Sequence, residues 1–223
     1  MRMLELAEIF KSYGSARVLD GASLRCERGQ AVCLAGANAA GKTTLLTIAA
    51  GVQKADRGEV RCDGTVGYVP QETALLADLS VRDNLALWYA ACSRPRSAMF
   101  SADSPERALG LCAFAGRRVS RLSGGVKKRA AIACALAARP DYLIMDEPFT
   151  ALDVTGRADI AALLRGLKQR GAGLLFSSHD PSAIASVADV MVLLRGGRVD
   201  APAALTGDEA CRMVQAAEQL SRA

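Results

Sequence analysis

One string, Gly36-Ala37-Asn38-Ala39-Ala40-Gly41-Lys42-Thr43, constrains this chain more than any other feature. It fits G-x-x-x-x-G-K-[ST], a pattern that carries meaning only between a buried strand and a helix. Both flanks are present. Ala31-Val32-Cys33-Leu34-Ala35 is apolar throughout, as a strand covered on both faces must be. A helix is expected from about Lys42 to Gly51. In that setting successive backbone N–H groups wrap a β-phosphate at a helix N-terminus, where the dipole adds positive potential. Lys42 is expected to reach the β- and γ-phosphates and the Thr43 hydroxyl to ligate Mg²⁺, with Thr44 completing the nucleotide-binding run. This chain's own frequencies of Gly, Lys and Ser plus Thr allow a chance match of roughly half a per cent.

A site of this kind needs an acid at the end of a neighbouring strand, and Tyr142-Leu143-Ile144-Met145 leads directly into Asp146-Glu147. Asp146 is expected to hold Mg²⁺, directly or through water. Glu147, one step further along, is placed to polarise the water that attacks the γ-phosphate. A GTPase would need Asn-Lys-x-Asp after a later strand, and the nearest string, Gln53-Lys54-Ala55-Asp56, lacks the Asn and stands too early.

Further buried strands are expected at 173–176 and 190–194, with a helix from Thr155 to Arg170. Strands alternating with helices imply right-handed crossovers and a parallel sheet, hence an α/β fold with a P-loop core. Leu4, Leu6 and Ile9, then Val18, Ala22 and Leu24, read as two partly exposed antiparallel strands around a polar turn from Lys11 to Arg17. The stretch from Thr73 to Ala138 lacks strand runs and offers helices at 81–92, 105–114 and 125–138, with an exposed, mobile loop at 93–103. The expected organisation is one domain over 1–223: a nucleotide-binding core at 1–72 and 139–200, an inserted helical subdomain at 73–138 and a short tail at 201–223.

Composition narrows the class. With 51% hydrophobic but only 4% aromatic residues, the core must be mostly Ala, Leu, Val and Ile. Seven cysteines without a C-x-x-C pair argue against disulfides or thiolate zinc and read as small core residues in a reducing cytosol. The single histidine excludes multi-histidine metal sites. The net charge of +5 favours an anionic ligand or surface. The longest apolar run, Ala130 to Ala138, is nine residues, whereas a membrane-spanning helix needs about 20. Glu5 and Glu8 interrupt any signal-peptide pattern.

Leu122-Ser123-Gly124-Gly125, at the start of an expected helix before Asp146, joins these motifs into a pattern that resembles the ATP-binding cassette ATPases. Tyr13 in Lys11-Ser12-Tyr13-Gly14, Gln71 in Tyr68-Val69-Pro70-Gln71, Ala151-Leu152-Asp153 and His179 in Ser177-Ser178-His179-Asp180 follow in the family order, from about Leu4 to Val199. The resemblance implies that Tyr13 stacks on adenine, the alternative being a turn tyrosine packed on the surface. It implies that Gln71 touches Mg²⁺ or the water while linking to the helical subdomain, and that His179 bonds the γ-phosphate. Ser123, Gly124 and Gly125 would face the γ-phosphate of an opposite protomer, with Asp153 supporting that interface.

The partners so implied are a second copy or a related ATPase, in a head-to-tail dimer around two ATP molecules, and integral membrane transporter subunits. The expected location is the cytoplasmic face of the membrane, with no direct nucleic-acid contact. The rival reading is a soluble cassette ATPase acting on nucleic acid or ribosomes. Three departures stand out: Ala39 where the family usually has Gly, Val126 in place of a frequent Gln and Cys134 in place of a frequent Arg. Lys127-Lys128-Arg129 fans around one helical turn and reads as a solvated face.

Overall fold

The computed structural model describes residues 3–222. In chain order the elements are β1 (Met3–Tyr13), β2 (Ala16–Glu27), β3 (Ala31–Ala35), α1 (Lys42–Ala49), β4 (Arg57–Cys62) and β5 (Val66–Val69). Next come α2 (Val81–Ala91), α3 (Pro105–Ala108), α4 (Gly124–Leu136), β6 (Tyr142–Met145), α5 (Val154–Gln169) and β7 (Gly173–Ser177). The last are α6 (Pro181–Val187), β8 (Val190–Arg195), β9 (Arg198–Val199), β10 (Ala203–Ala204) and α7 (Glu209–Leu220).

The strands form two sheets. An antiparallel one runs β2-β1-β4, and a mostly parallel one runs β10-β8-β3-β7-β6-β5, with β9 paired antiparallel to β8. The α/β class, the parallel core and the N-terminal antiparallel part are as the sequence implies. Because β3, β7, β6 and β5 are parallel, their C-terminal ends share one edge, and loops leaving that edge converge there. The phosphate loop leaves β3 and the acid pair leaves β6.

Alternation along the buried strands splits the core into two layers. Val32 and Leu34 face a cluster with Leu4, Leu6, Leu19, Leu45 and Ile48, between the parallel sheet, the antiparallel sheet and α1. Ala31, Cys33 and Ala35 face the other cluster, with α4, α5 and α6. Each fully buried leucine or isoleucine contributes about 1.5–3 kcal/mol of transfer free energy. The N-terminal hairpin differs from expectation in its turn, which is only Gly14-Ser15: Ser12 pairs with Arg17 and Tyr13 with Ala16, so the polar run continues the ladder.

Between β5 and β6 the chain is helical. The expected helix at 105–114 breaks after Ala108, where Gly110 takes φ 64° and a separate 3₁₀ turn covers Leu111–Phe114. A non-glycine residue pays to adopt that angle, so glycine marks the break. The 93–103 loop is mostly exposed, as expected, with Met99 and Phe100 packed against the core. Of the seven free cysteines only Cys26, Cys33 and Cys134 are buried, which corrects their general reading as core residues. No helix among the described residues is long and apolar enough to cross a membrane.

Candidate functional site

The cradle forms where β3 turns into α1. Gly41 sits before the helix at φ 103°, and a Cβ there would lie 2.8 Å from Val18 Cγ1, so glycine is required by both angle and space. No side chain caps α1. The N–H groups of its first turn, from Lys42 to Thr44, lack intrahelical partners by construction and are available to an anion. Lys42 Nζ folds back onto the loop, donating to Gly36 O at 2.8 Å and Ala37 O at 2.9 Å. Ala39 takes φ 62°, the left-handed conformation in which an L side chain costs about 1 kcal/mol.

Across the edge, Asp146 is 1% exposed and both its oxygens are engaged. Thr43 Oγ1 donates to Oδ2 at 2.6 Å and Ser177 Oγ to Oδ1 at 2.5 Å. Ser177 Oγ also accepts from Glu147 N at 2.8 Å, so one hydroxyl fixes both acids. Ser177 was not singled out from the sequence; its signal is a polar residue ending an otherwise apolar strand. Glu147 has φ 48°, a conformation that costs about 1–3 kcal/mol at a non-glycine residue and aims the carboxylate outward. His179 Nδ1 lies 2.9 Å from Glu147 Oε1, and Thr150 Oγ1 donates to Oε2 at 3.4 Å.

These groups surround a cleft of about 490 Å³ lined by Asn38, Ala39, Gly41, Lys42, Thr43, Thr44, Gln71, Asp146, Glu147, Thr150 and His179, with Val18 beside them. Tyr13, Ser123, Gly124, Gly125 and Asp153 do not line it. Tyr13 is half exposed and accepts a 2.6 Å hydrogen bond from Gln53 Nε2, which holds it beside α1. Ser123 caps α4, its Oγ accepting from Val126 N at 3.4 Å. A Cβ on Gly125 would meet Ala151 O at 3.2 Å, so this helix start packs beside the Ala151-Leu152-Asp153 turn. Asp153 caps α5 through Gly156 N at 2.8 Å, and its neighbour Val154 is 86% exposed.

A family model described as ABC transporter matches residues 19–150. This chain belongs to the ABC transporter family. Among its relatives, the sulfate/thiosulfate import ATP-binding protein CysA of Escherichia coli (strain K12) is 36% identical over 95% of this chain and 63% of its own length. The chain therefore spans somewhat less than two thirds of the import proteins it matches. A probable ABC transporter ATP-binding protein of Azorhizobium caulinodans is 35% identical over 85% of this chain and 73% of its own. An ATP-binding subunit of an ABC transporter superposes with TM-score 0.80 at 26% identity, covering 99% and 98% of the two chains. An ATP-binding cassette dimer in a post-hydrolysis state with ADP and Pi gives 0.79 at 25% identity, covering 92% and 99%.

One expectation from the ABC pattern needs correction. Lys127-Lys128-Arg129 is not a solvated face: Lys128 is 4% exposed, and Arg129 Nη1 donates to Leu109 O at 3.2 Å. Helix α4 packs on several sides, so one position of any basic triplet must turn inward. Burial holds the Lys128 ammonium below the usual lysine range, while Asp146 and Glu147 pull it back up. The departures at Val126 and Cys134 are buried as ordinary core residues, at 6% and 2% exposure.

Proposed function

We propose that this chain binds and hydrolyses ATP, and that paired copies power transport through separate membrane-spanning subunits. The observation that carries the reading is the convergence of Thr43, Asp146, Glu147 and His179, from three separate strand ends, on the cleft that holds Lys42. With ATP bound, Lys42 exchanges its two carbonyl partners for the β- and γ-phosphates. The Thr43 hydroxyl, the Asp146 carboxylate and the Gln71 amide are hard oxygen donors that suit Mg²⁺, an ion that keeps waters and shares substrate phosphates. That ion would neutralise charge on the phosphates. Glu147 takes a proton from the attacking water, while His179, already bonded to it, orients that carboxylate and reaches the γ-phosphate.

Ser123, Gly124 and Gly125 stand at a helix N-terminus away from this cleft, so they serve an anion on a second protomer, identical or related. Asp153 and the exposed Val154 lie on that same side and suit a two-fold, ATP-dependent interface. Residues 73–138 act as a subdomain that moves against the core at 1–72 and 139–200, with 201–223 as the tail. Leu76, Leu87 and Trp88 are exposed at 55%, 50% and 42%, and receive a short cytoplasmic helix of the membrane subunit. The chain then works at the cytoplasmic face of the membrane.

Two experiments test this. Lys42→Ala should lose nearly all ATP binding by calorimetry, and unchanged affinity would sink the nucleotide reading. Leu87→Glu with Trp88→Glu should abolish co-purification with the membrane subunit while ATPase activity of the isolated chain persists; retained co-purification would remove the transport assignment.

A second reading rests on Arg117, Arg118 and Arg121, which with Gly116 line an open concavity of about 600 Å³. Three guanidinium groups there suit phosphates of a nucleic acid, as in a soluble cassette ATPase. Salt-sensitive RNA binding, lost in the triple Arg→Gln variant, would favour it.

A further inference from the structure

Lys128 belongs to α4, yet its hydrogen bonds run to another part of the chain. Its Nζ donates to Gln71 O at 2.7 Å and Pro70 O at 3.2 Å, the two residues that follow β5. That strand exit is itself tied to the acid pair, because Asp146 N donates to Val69 O at 2.9 Å. Lys128 therefore sits where the helix begun by Ser123, the exit of β5 and the end of β6 meet. Burying an ammonium against two carbonyls, with no carboxylate in contact, costs more desolvation than an apolar side chain at this core-facing position would. What a lysine supplies here, and an apolar side chain cannot, is one donor group that joins α4 to both carbonyls.

We infer that Lys128 is a positioning residue that fastens the start of α4 to the backbone of Gln71, so that Ser123–Gly125 and Gln71 shift as one piece against Asp146 and Glu147. The inference rests on the ATPase reading above. It makes the helix that serves the opposite nucleotide and the amide that lines the chain's own cleft mechanically continuous. The arrangement needs no change in the cradle, since the hydrogen bonds of Lys128 run to Pro70 and Gln71 rather than to Lys42 or Thr43.

The test uses the full chain with Lys128→Met, Lys128→Gln and Lys128→Arg. Lys128→Met should lower kcat about tenfold with KM for ATP changed less than about threefold, and Lys128→Arg, which keeps several donors, should return kcat to within about threefold. In a Glu147→Gln background, Lys128→Met should also reduce the ATP-dependent dimer seen by gel filtration. Wild-type kcat in Lys128→Met, an Arg variant no better than Met, or a loss of activity that only follows the loss of folded protein would each overturn the inference. If Lys128→Met fails to fold, the comparison of Gln with Arg decides on the same readouts. A wild-type chain that does not hydrolyse ATP would defeat the ATPase reading instead.

Discussion

His179 Nδ1 stands 2.9 Å from Glu147 Oε1, although the two residues end different strands and are 32 positions apart. The contact couples an exposed imidazole to a nearly buried carboxylate, whose backbone angle already directs it into the cleft. Glu147→Gln keeps the size and loses the proton acceptor. ATP affinity should stay within about threefold while turnover falls by about two orders of magnitude or more, as expected for loss of a general base. A coupled-enzyme assay beside calorimetry checks both, and Mg-ATP should move this variant to a dimer on gel filtration. Wild-type turnover would shift the base role to His179.

Ser177→Ala removes one hydroxyl that serves two acids. Asp146 Oδ1 loses its donor and Glu147 N its acceptor, both in buried surroundings, a cost of about 1–3 kcal/mol in stability. The Mg²⁺ concentration for half-maximal activity should rise several-fold, because the Asp146 carboxylate is then held by the Thr43 hydroxyl alone. Thermal melting and a Mg²⁺ titration measure the two effects, and an unchanged titration would reduce Ser177 to a packing residue.

At Ala39 the left-handed angle predicts that the commoner residue would be easier to hold. Ala39→Gly should stabilise the fold by about 0.5–1 kcal/mol and tighten ATP binding modestly, since the loop then reaches its cradle shape without strain. Calorimetric melting with and without ATP reads both changes.

Tyr13 offers a clean separation of ring from hydroxyl. Tyr13→Phe loses the Gln53 bond but keeps the stacking face, so ATP affinity should hold; Tyr13→Ala should weaken it by about 1–3 kcal/mol, the range for a stacked base. If Ala binds ATP as tightly as Tyr, residue 13 is only the end of a hairpin.

The legible parts of this molecule are those where pattern and chemistry coincide. The apolar runs at β3, β6 and β7 exist because both sheet faces are covered, and the glycine-rich loop between β3 and α1 exists because the backbone must bend and stay bare. β4 was not readable: all six of its residues are exposed, so no alternation marks it as a strand. Helix α7 buries only Ala216 fully and was likewise invisible as a packed element. Lys128 was misread because charge type says nothing about which helix face turns inward. Ser177 was missed because its role depends on the lateral order of β6 and β7, which no local string encodes.

That lateral order also sets a sequence of events in time. β7 lies between β3 and β6 in the sheet, yet it is synthesised after both. On a growing chain the phosphate loop and the acid pair emerge with their separating strand still missing, and Thr43 cannot meet Asp146 across that gap. Parallel strands of this kind pair slowly, because long loops must close before any contact rewards them. A partly made chain therefore lacks the Thr43–Asp146 contact until β7 is in place. Joining the two halves of the cleft is thus a late step of folding, one that waits for the last central strand to enter the sheet.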